Sequence, residues 1–358
     1  MDGLRIKRWG VTAVLGLILT WLPTHPASAQ SMEELAADIA LLQDEVQNLH
    51  QDQENEVSLH GYFSLEYYED TQAGNPSRFR QHSMNLFVRR DWERARIFGE
   101  LKFEDGVELE GDGTTVDGKG AVKAEFVWYE YRAHDALTLR AGKFLTPQYW
   151  NVNHYPPSVL STSRPLLVKN VFPGDQIGLM VYGNLAPPIN VVYHVYVTNG
   201  RTDSTTDNNQ NKAVGGHLSF LLNDVINRSG IVGRIKRLHV GVSAFSDNNP
   251  LDEGAYDVVG ADLQFNTGRY ELLFEYARAH GDSPREAFYV QPSTRLVGQL
   301  RAFFRWDYLD RASSRDHEQQ VLGLNWRPVP NVSLKLETIS HHEAVDYEEY
   351  ISSIAVFF

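Results

Sequence analysis

The chain contains no cysteine. That single absence removes disulfide scaffolds, thiolate metal centres and cysteine nucleophiles. Beyond residue 22 it also lacks any apolar run near the roughly 20 residues that a membrane-spanning helix requires, so a helical membrane bundle is excluded. Positive charge is scarce: 33 Lys and Arg face 46 Asp and Glu, a formal net charge of −13. A nucleic-acid partner is therefore not expected, because such proteins carry a basic footprint. None of these absences excludes a membrane β-barrel, whose strands are only half apolar. Nor does the length of 358 residues, which suggests two or three soluble domains but fits one large barrel equally well.

The N-terminus reads as an address. Lys7 and Arg8 precede a mostly apolar, uncharged run from Trp9 to Leu22, then Pro23, Pro26 and Ala27-Ser28-Ala29. A basic start, an apolar stretch of this length and a small-residue A-x-A site predict a secretory signal peptide over 1–29. A retained membrane anchor is the alternative. The run is short for a span and ends in prolines. Cleavage would leave 30 basic and 45 acidic residues, a net charge of −15.

Residues 30–56 form the next unit, predicted as a periplasmic helix. Leu35, Ile39, Leu42, Val46 and Leu49 recur at spacings of four and three, an a/d seam with β-branched residues at a and Leu at d. Two heptads alone are marginal in water. The expected role is oligomerisation through a coiled coil; the alternative is an amphipathic helix packed on its own domain.

From residue 57 to 358 the period changes to two, as expected for strands. Ala95, Ile97, Gly99, Leu101 and Phe103 alternate with Arg94, Arg96, Phe98, Glu100, Lys102 and Glu104; Leu300, Ala302, Phe304, Trp306 and Tyr308 alternate with Arg301, Phe303, Arg305 and Asp307. Sixteen such segments follow: 57–69, 81–91, 94–105, 121–132, 136–144, 174–183, 188–198, 211–222, 236–246, 255–266, 268–280, 286–296, 298–309, 318–328, 331–342 and 348–358. Pro292 weakens the twelfth, because a central strand needs its N–H. Tight turns at 132–135, 266–268 and 328–330 contrast with polar connections at 70–80, 106–120, 199–210, 247–254 and 310–317. Short turns at one end and longer loops at the other are the pattern of a sixteen-stranded antiparallel transmembrane β-barrel.

Tyr67, Trp92, Trp128, Tyr182, Tyr276, Trp306, Tyr308 and Trp326 lie near strand ends and are expected to form interfacial girdles. Core packing is the alternative. The chain ends inside a strand, with Tyr350, Ser352, Ile354, Val356 and Phe358 on one face. Outer-membrane barrels commonly end this way, and Phe358 is expected to be read by the assembly machinery.

Residues 143–176 break the rhythm. The segment is rich in Pro and aromatics, and its ionisable groups are mainly basic: Lys143, His154, Arg164 and Lys169, with Asp175 at its exit. A connection of this length is usually functional. Folded inward it would form a constriction whose cations concentrate anions; as an alternative it would latch the wall to a neighbouring subunit. Arg94, Arg96 and Lys102 are further candidates for setting solute selectivity.

The signal segment, the heptad helix, the Phe144-Leu145-Thr146-Pro147 and Ser161–Pro165 region and the Phe358 terminus together resemble Gram-negative trimeric porins, in particular the phosphate-selective-porin-like group that carries an N-terminal coiled coil. The resemblance implies sixteen strands, a homotrimer in the outer membrane among lipid and lipopolysaccharide, and a constriction loop in each pore. It carries no phosphate site here, since the inward faces mix Arg94, Arg96, Lys102, Lys123, Arg301, Arg305 and Lys335 with Glu100, Glu104, Glu125, Glu271, Glu275, Asp307 and Glu337. Passive diffusion of small hydrophilic solutes, with a preference for small anions, is the expected function. It needs no catalytic residue, no cofactor and no metal. A barrel enzyme acting on lipid would need a nucleophile and base that cannot be named, and a secreted β-rich glycan binder would stay soluble without detergent.

Two other patterns carry little. His341, His342 and Glu343 suggest a metal, but adjacent strand residues point to opposite faces. The glycines between 111 and 120 lack the Lys-Ser/Thr of a phosphate-binding loop.

Overall fold

The computed structural model describes residues 56–72, 76–104, 120–168, 170–185, 190–201, 210–222, 235–249, 254–312 and 316–358. The predicted signal segment and the seam Leu35, Ile39, Leu42, Val46 and Leu49 lie outside the described residues, as does Lys169.

Sixteen strands close into one antiparallel barrel. They are β1 (Ser58–Asp70), β2 (Arg78–Asp91), β3 (Ala95–Glu104), β4 (Ala121–His134), β5 (Leu137–Leu145), β6 (Asp175–Leu185), β7 (Asn190–Thr198), β8 (Ala213–Leu221), β9 (Arg237–Asn249), β10 (Gly254–Asn266), β11 (Tyr270–Gly281), β12 (Arg285–Val297), β13 (Leu300–Arg311), β14 (His317–Trp326), β15 (Val332–His342) and β16 (Tyr347–Phe357). Each strand pairs with its sequence neighbours, and β1 closes on β16 from Tyr62↔Phe357 to Asp70↔Glu349. The seal continues past the last strand, where the Phe358 amide donates to Gly61 O and the Gly61 amide donates to Phe358 O. Closure leaves no unpaired edge, the condition for crossing a bilayer with strands.

Burial along the strands is inverted relative to a soluble protein. On β13, Phe304 and Trp306 are exposed, whereas Arg305 and Asp307 are fully buried. On β3, Ile97 and Leu101 are exposed while Glu100 and Lys102 are buried. The apolar stripe faces outward all round, through Val127, Leu139, Leu179, Val195, Val242, Leu322 and Leu336 among others. Pro292 sits in β12, as its neighbours' alternation requires. The β12–β13 ladder skips Gln291 and Pro292 yet keeps its register, from Val290↔Trp306 to Ser293↔Phe303, so the missing N–H costs a gap rather than a slip.

Two of the expected girdle aromatics belong elsewhere. Trp128 and Tyr182 occupy inward-facing positions of β4 and β6, where Arg140 lies over both rings at 4.2 and 4.9 Å and Tyr182 donates to Glu130. Their positions near strand ends were right for a girdle, but alternation sends them to the lumen. Trp92, Trp306 and Trp326 are exposed on the outside.

The connections after odd-numbered strands and those after even-numbered strands lie at opposite ends of an antiparallel barrel. The β10–β11 turn uses Gly268 at φ 89°, with its amide held by the Asn266 side chain. By far the longest described connection is β5–β6, residues 146–174, which turns into the barrel. The expected boundaries of 143 and 176 run into the strands, because Lys143 is still paired with Ile177 and Leu145 with Asp175.

Candidate functional site: a loop clamped across the lumen

The inserted loop starts with a neck. The Thr146 amide donates to Gly174 O at 3.0 Å and its hydroxyl to Pro173 O at 2.5 Å, and Asn151 Nδ2 donates to Thr146 Oγ1 at 2.8 Å. These bonds close the loop on itself where it leaves the wall. A single short helix follows, α1 (Tyr149–Asn153). Its Gln148 cap position makes no side-chain cap; instead the Trp150 amide donates to Glu275 Oε1 of β11 at 3.1 Å. A carboxylate from the opposite wall thus satisfies a helix N-terminal donor that would otherwise be orphaned.

Apolar packing fixes the loop's two ends. Phe144, Trp150, Leu167, Val171 and Phe172 form one buried cluster with wall residues that include Met180, Tyr196, Phe245, Tyr256 and Tyr289. Small wall residues Ala277, Ala279 and Ala287 give this cluster room. The Tyr256 hydroxyl donates to Val171 O at 2.8 Å.

Buried charges hold the middle. Arg305 Nη1 donates to Ser161 Oγ and Ser163 O, both at 2.8 Å, while its Nε holds Asp307 at 2.8 Å. Glu337 receives the Thr162 amide, the Ser163 amide at 3.1 Å and the Ser163 hydroxyl at 2.7 Å. Lys335 Nζ donates to Pro156 O at 2.7 Å and Ser161 O at 3.0 Å. Asn325 adds Leu160 O at 3.0 Å. The inward charges of β13 and β15 are therefore clamps on the loop's backbone. A buried charge is tolerated where hydrogen bonds satisfy it.

The clamps draw the loop to β10–β16, the Tyr155 hydroxyl donates to Glu100 of β3 on the other side at 3.1 Å, and a narrow space remains beside β1–β6. Tyr62, Asn85, Glu100, Lys102, Glu125, Phe126, His154 and Arg164 line it. Its volume is about 40 Å³, room for a few waters where one needs roughly 10–15 Å³.

The expected selectivity residues have distinct fates. Lys143 stands on the face opposite Phe144, and its Nζ lies 3.0 Å from Asp175 Oδ2, so those two charges neutralise each other. Lys102 pairs with Glu104 at 2.5 Å and Glu125 at 3.4 Å. Arg96 pairs with Asp91 at 2.5 Å and Glu130 at 3.5 Å. Arg94 lies in the β2–β3 turn, exposed, 3.8 Å from Glu93. His154 is a neutral imidazole, because burial pulls it down to about 4; its Nδ1 donates to Asn151 O at 2.6 Å. Arg164 is exposed to the lumen, with no hydrogen-bond or ion-pair partner among the described residues.

The residues that position the loop, Arg305, Lys335, Glu337 and Glu275, were visible in the sequence only as charges on inward faces. Their bonds to the loop span more than a hundred residues and leave no local signal. His341 and His342 do diverge: His341 is buried and 3.2 Å from Glu349, whereas His342 is exposed and 3.7 Å from Asp346.

Fold and site define a class, the sixteen-stranded antiparallel barrels with an apolar outer wall and an occupied lumen. No family profile matches the chain, and no curated protein sequence does. Solved structures do share the fold. An anion-selective porin from Comamonas acidovorans superposes with a TM-score of 0.61 at 12% identity, over 85% of this chain and 99% of that one. OprB from Pseudomonas putida gives 0.62 at 9% identity, over 87% and 96%. The outer membrane channel DcaP of Acinetobacter baumannii gives 0.54 at 13% identity, over 85% and 97%. At these identities the likeness is one of fold.

Proposed function

We propose that the chain is an outer-membrane porin: a passive channel for small hydrophilic solutes, whose inserted loop sets the cross-section. The observation that carries this reading is the inverted burial of a closed barrel. Its exterior is apolar all round, and its charged interior is spent on holding a loop across the lumen. So large an exposed apolar surface is untenable in water, where contiguous patches rarely exceed a few hundred Å²; this weighs against a soluble glycan-binding protein. No chemical step is required of a channel, and selectivity follows from radius and lining charge.

The finer reading is a preference for small anions, resting on Arg164 as an unpaired cation at the narrow space, with Lys169 as a second candidate. The chain would be exported by its signal peptide, read by the assembly machinery through Phe358, and seated among lipid and lipopolysaccharide as a homotrimer supported by the 30–56 coiled coil. Planar-bilayer recording tests it. Discrete conductance steps with a reversal potential on the anion side of a salt gradient are expected. The absence of steps refutes the channel; a cation-side potential refutes the anion preference alone.

A further inference from the structure

Three neighbouring strands bring together side chains that the clamp does not use. His217 on β8, His239 on β9 and Asp262 on β10 all point inward. His217 Nε2 lies 2.8 Å from Asp262 Oδ2, and His239 Nε2 lies 3.5 Å from Asp262 Oδ1. The three donor atoms all fall within 4.8 Å of one another. His217 and Asp262 are more than nine-tenths buried, yet His239 Nε2 and Asp262 Oδ1 have no hydrogen-bond partner. Orphaned buried polar atoms call for an explanation such as an ion.

The backbone between them is shaped for the meeting. Asp262 is paired with Gly241 across the ladder. A Cβ at Gly241 would stand 2.2 Å from Asp262 Oδ2 and 2.5 Å from His217 Nε2, so only glycine lets the carboxylate and the imidazole cross over β9.

We propose that His217, His239 and Asp262 form a binding site for a divalent transition-metal ion of the zinc class in the inner wall of the barrel. Two imidazoles and a carboxylate suit Zn²⁺ or Co²⁺ and not Ca²⁺ or Mg²⁺, which take oxygen ligands. Bonds of about 2.0–2.1 Å to a tetrahedral ion place donors roughly 3.3 Å apart, a spacing bracketed by the separations here. Three protein ligands leave the fourth position to water. The site lies on the wall beneath α1: Gln264, two residues along β10 from Asp262, donates to the Tyr149 hydroxyl at 3.0 Å.

The test uses the full-length, untagged protein in detergent, metal-stripped and then dialysed against Zn²⁺ or Co²⁺. One ion per chain is expected, with the visible absorption band of Co²⁺ held by nitrogen and oxygen. His239→Gln and Asp262→Asn should each weaken binding by on the order of 100-fold or more, since even outer partners of metal ligands cost 10–100-fold. His341→Gln, which removes the other close histidine pair (His317 and His341, 3.1 Å apart), should leave it unchanged. Wild-type protein that binds no stoichiometric ion overturns the proposal, whether or not the variants fold. Binding that survives both His239→Gln and Asp262→Asn, or is lost in His341→Gln alone, overturns it as well.

Discussion

Replacing Glu337 by Gln should unfasten the loop while leaving the barrel standing. Glu337 is 5% exposed, and its two oxygens receive three donors from Thr162 and Ser163. An amide has the same shape but only one accepting oxygen. If that oxygen keeps the two Ser163 donors, the NH₂ faces the Thr162 amide, and one charge-assisted bond worth about 1.5–3 kcal/mol is lost. The two that remain become neutral and about half as strong, which costs about as much again, so the total is roughly 3–6 kcal/mol. At 1.4 kcal/mol per factor of ten, the released state of the loop gains roughly 100- to 10,000-fold in weight. The barrel should not notice, because β15 pairs through its backbone at this position, Glu337 with Gly323 on one side and Ile351 on the other. The assay is single-channel recording alongside heat-modifiable migration on gels. Larger, noisier conductance with unaltered migration is expected. Wild-type conductance and noise in a folded Glu337→Gln protein would refute the clamp.

Arg164→Ala should lower anion preference in reversal-potential measurements, and Arg164→Glu should move it towards cations; Lys169→Ala tests the second candidate in the same assay. Seating of the loop should weaken with acid. Burial holds His154 at about 4 against an ordinary value of about 6.5, so between these values a released loop takes up a proton that the seated loop refuses. Stability of the seated state is therefore full above about pH 6.5, falls as pH drops towards 4 and levels off below; channel noise should follow that course, and His154→Gln should flatten it. Deleting 31–56 should weaken the oligomer on non-denaturing gels, and an unaltered oligomer would count against the coiled coil.

The number and placement of strands were legible because a bilayer-facing wall demands an apolar residue at every second position, a requirement written locally in segments such as 300–308. Boundaries moved by a few residues where turns were short; β2 begins at Arg78, three residues before its alternation becomes evident. The insertion of 146–174 was legible from its length and aromatic content. What holds it was not. Arg305 and Ser161 stand 144 positions apart, and only the order of strands round the barrel brings them to 2.8 Å. The same blindness made Lys143 look like a free cation, because Asp175 sits on the adjacent strand; Lys102 has one acid, Glu104, on its own strand and meets Glu125 across the ladder. Aromatics misled for a different reason: Trp128 suits an interface and a lumen alike, and a bulge in the β3–β4 ladder beside Glu100 and Leu101 resets which face it takes.

The loop leaves the wall after β5, yet the polar groups that grip residues 156–163 come from β13 to β16. Its anchors are therefore made later than the loop itself during synthesis. Until the C-terminal third of the chain has joined the sheet, the buried donors and acceptors of 156–163 have nothing to bind. A seated loop is in this sense a receipt for a finished barrel, and a truncated or unclosed one would display an unplugged, sticky segment to whatever proteases patrol its compartment.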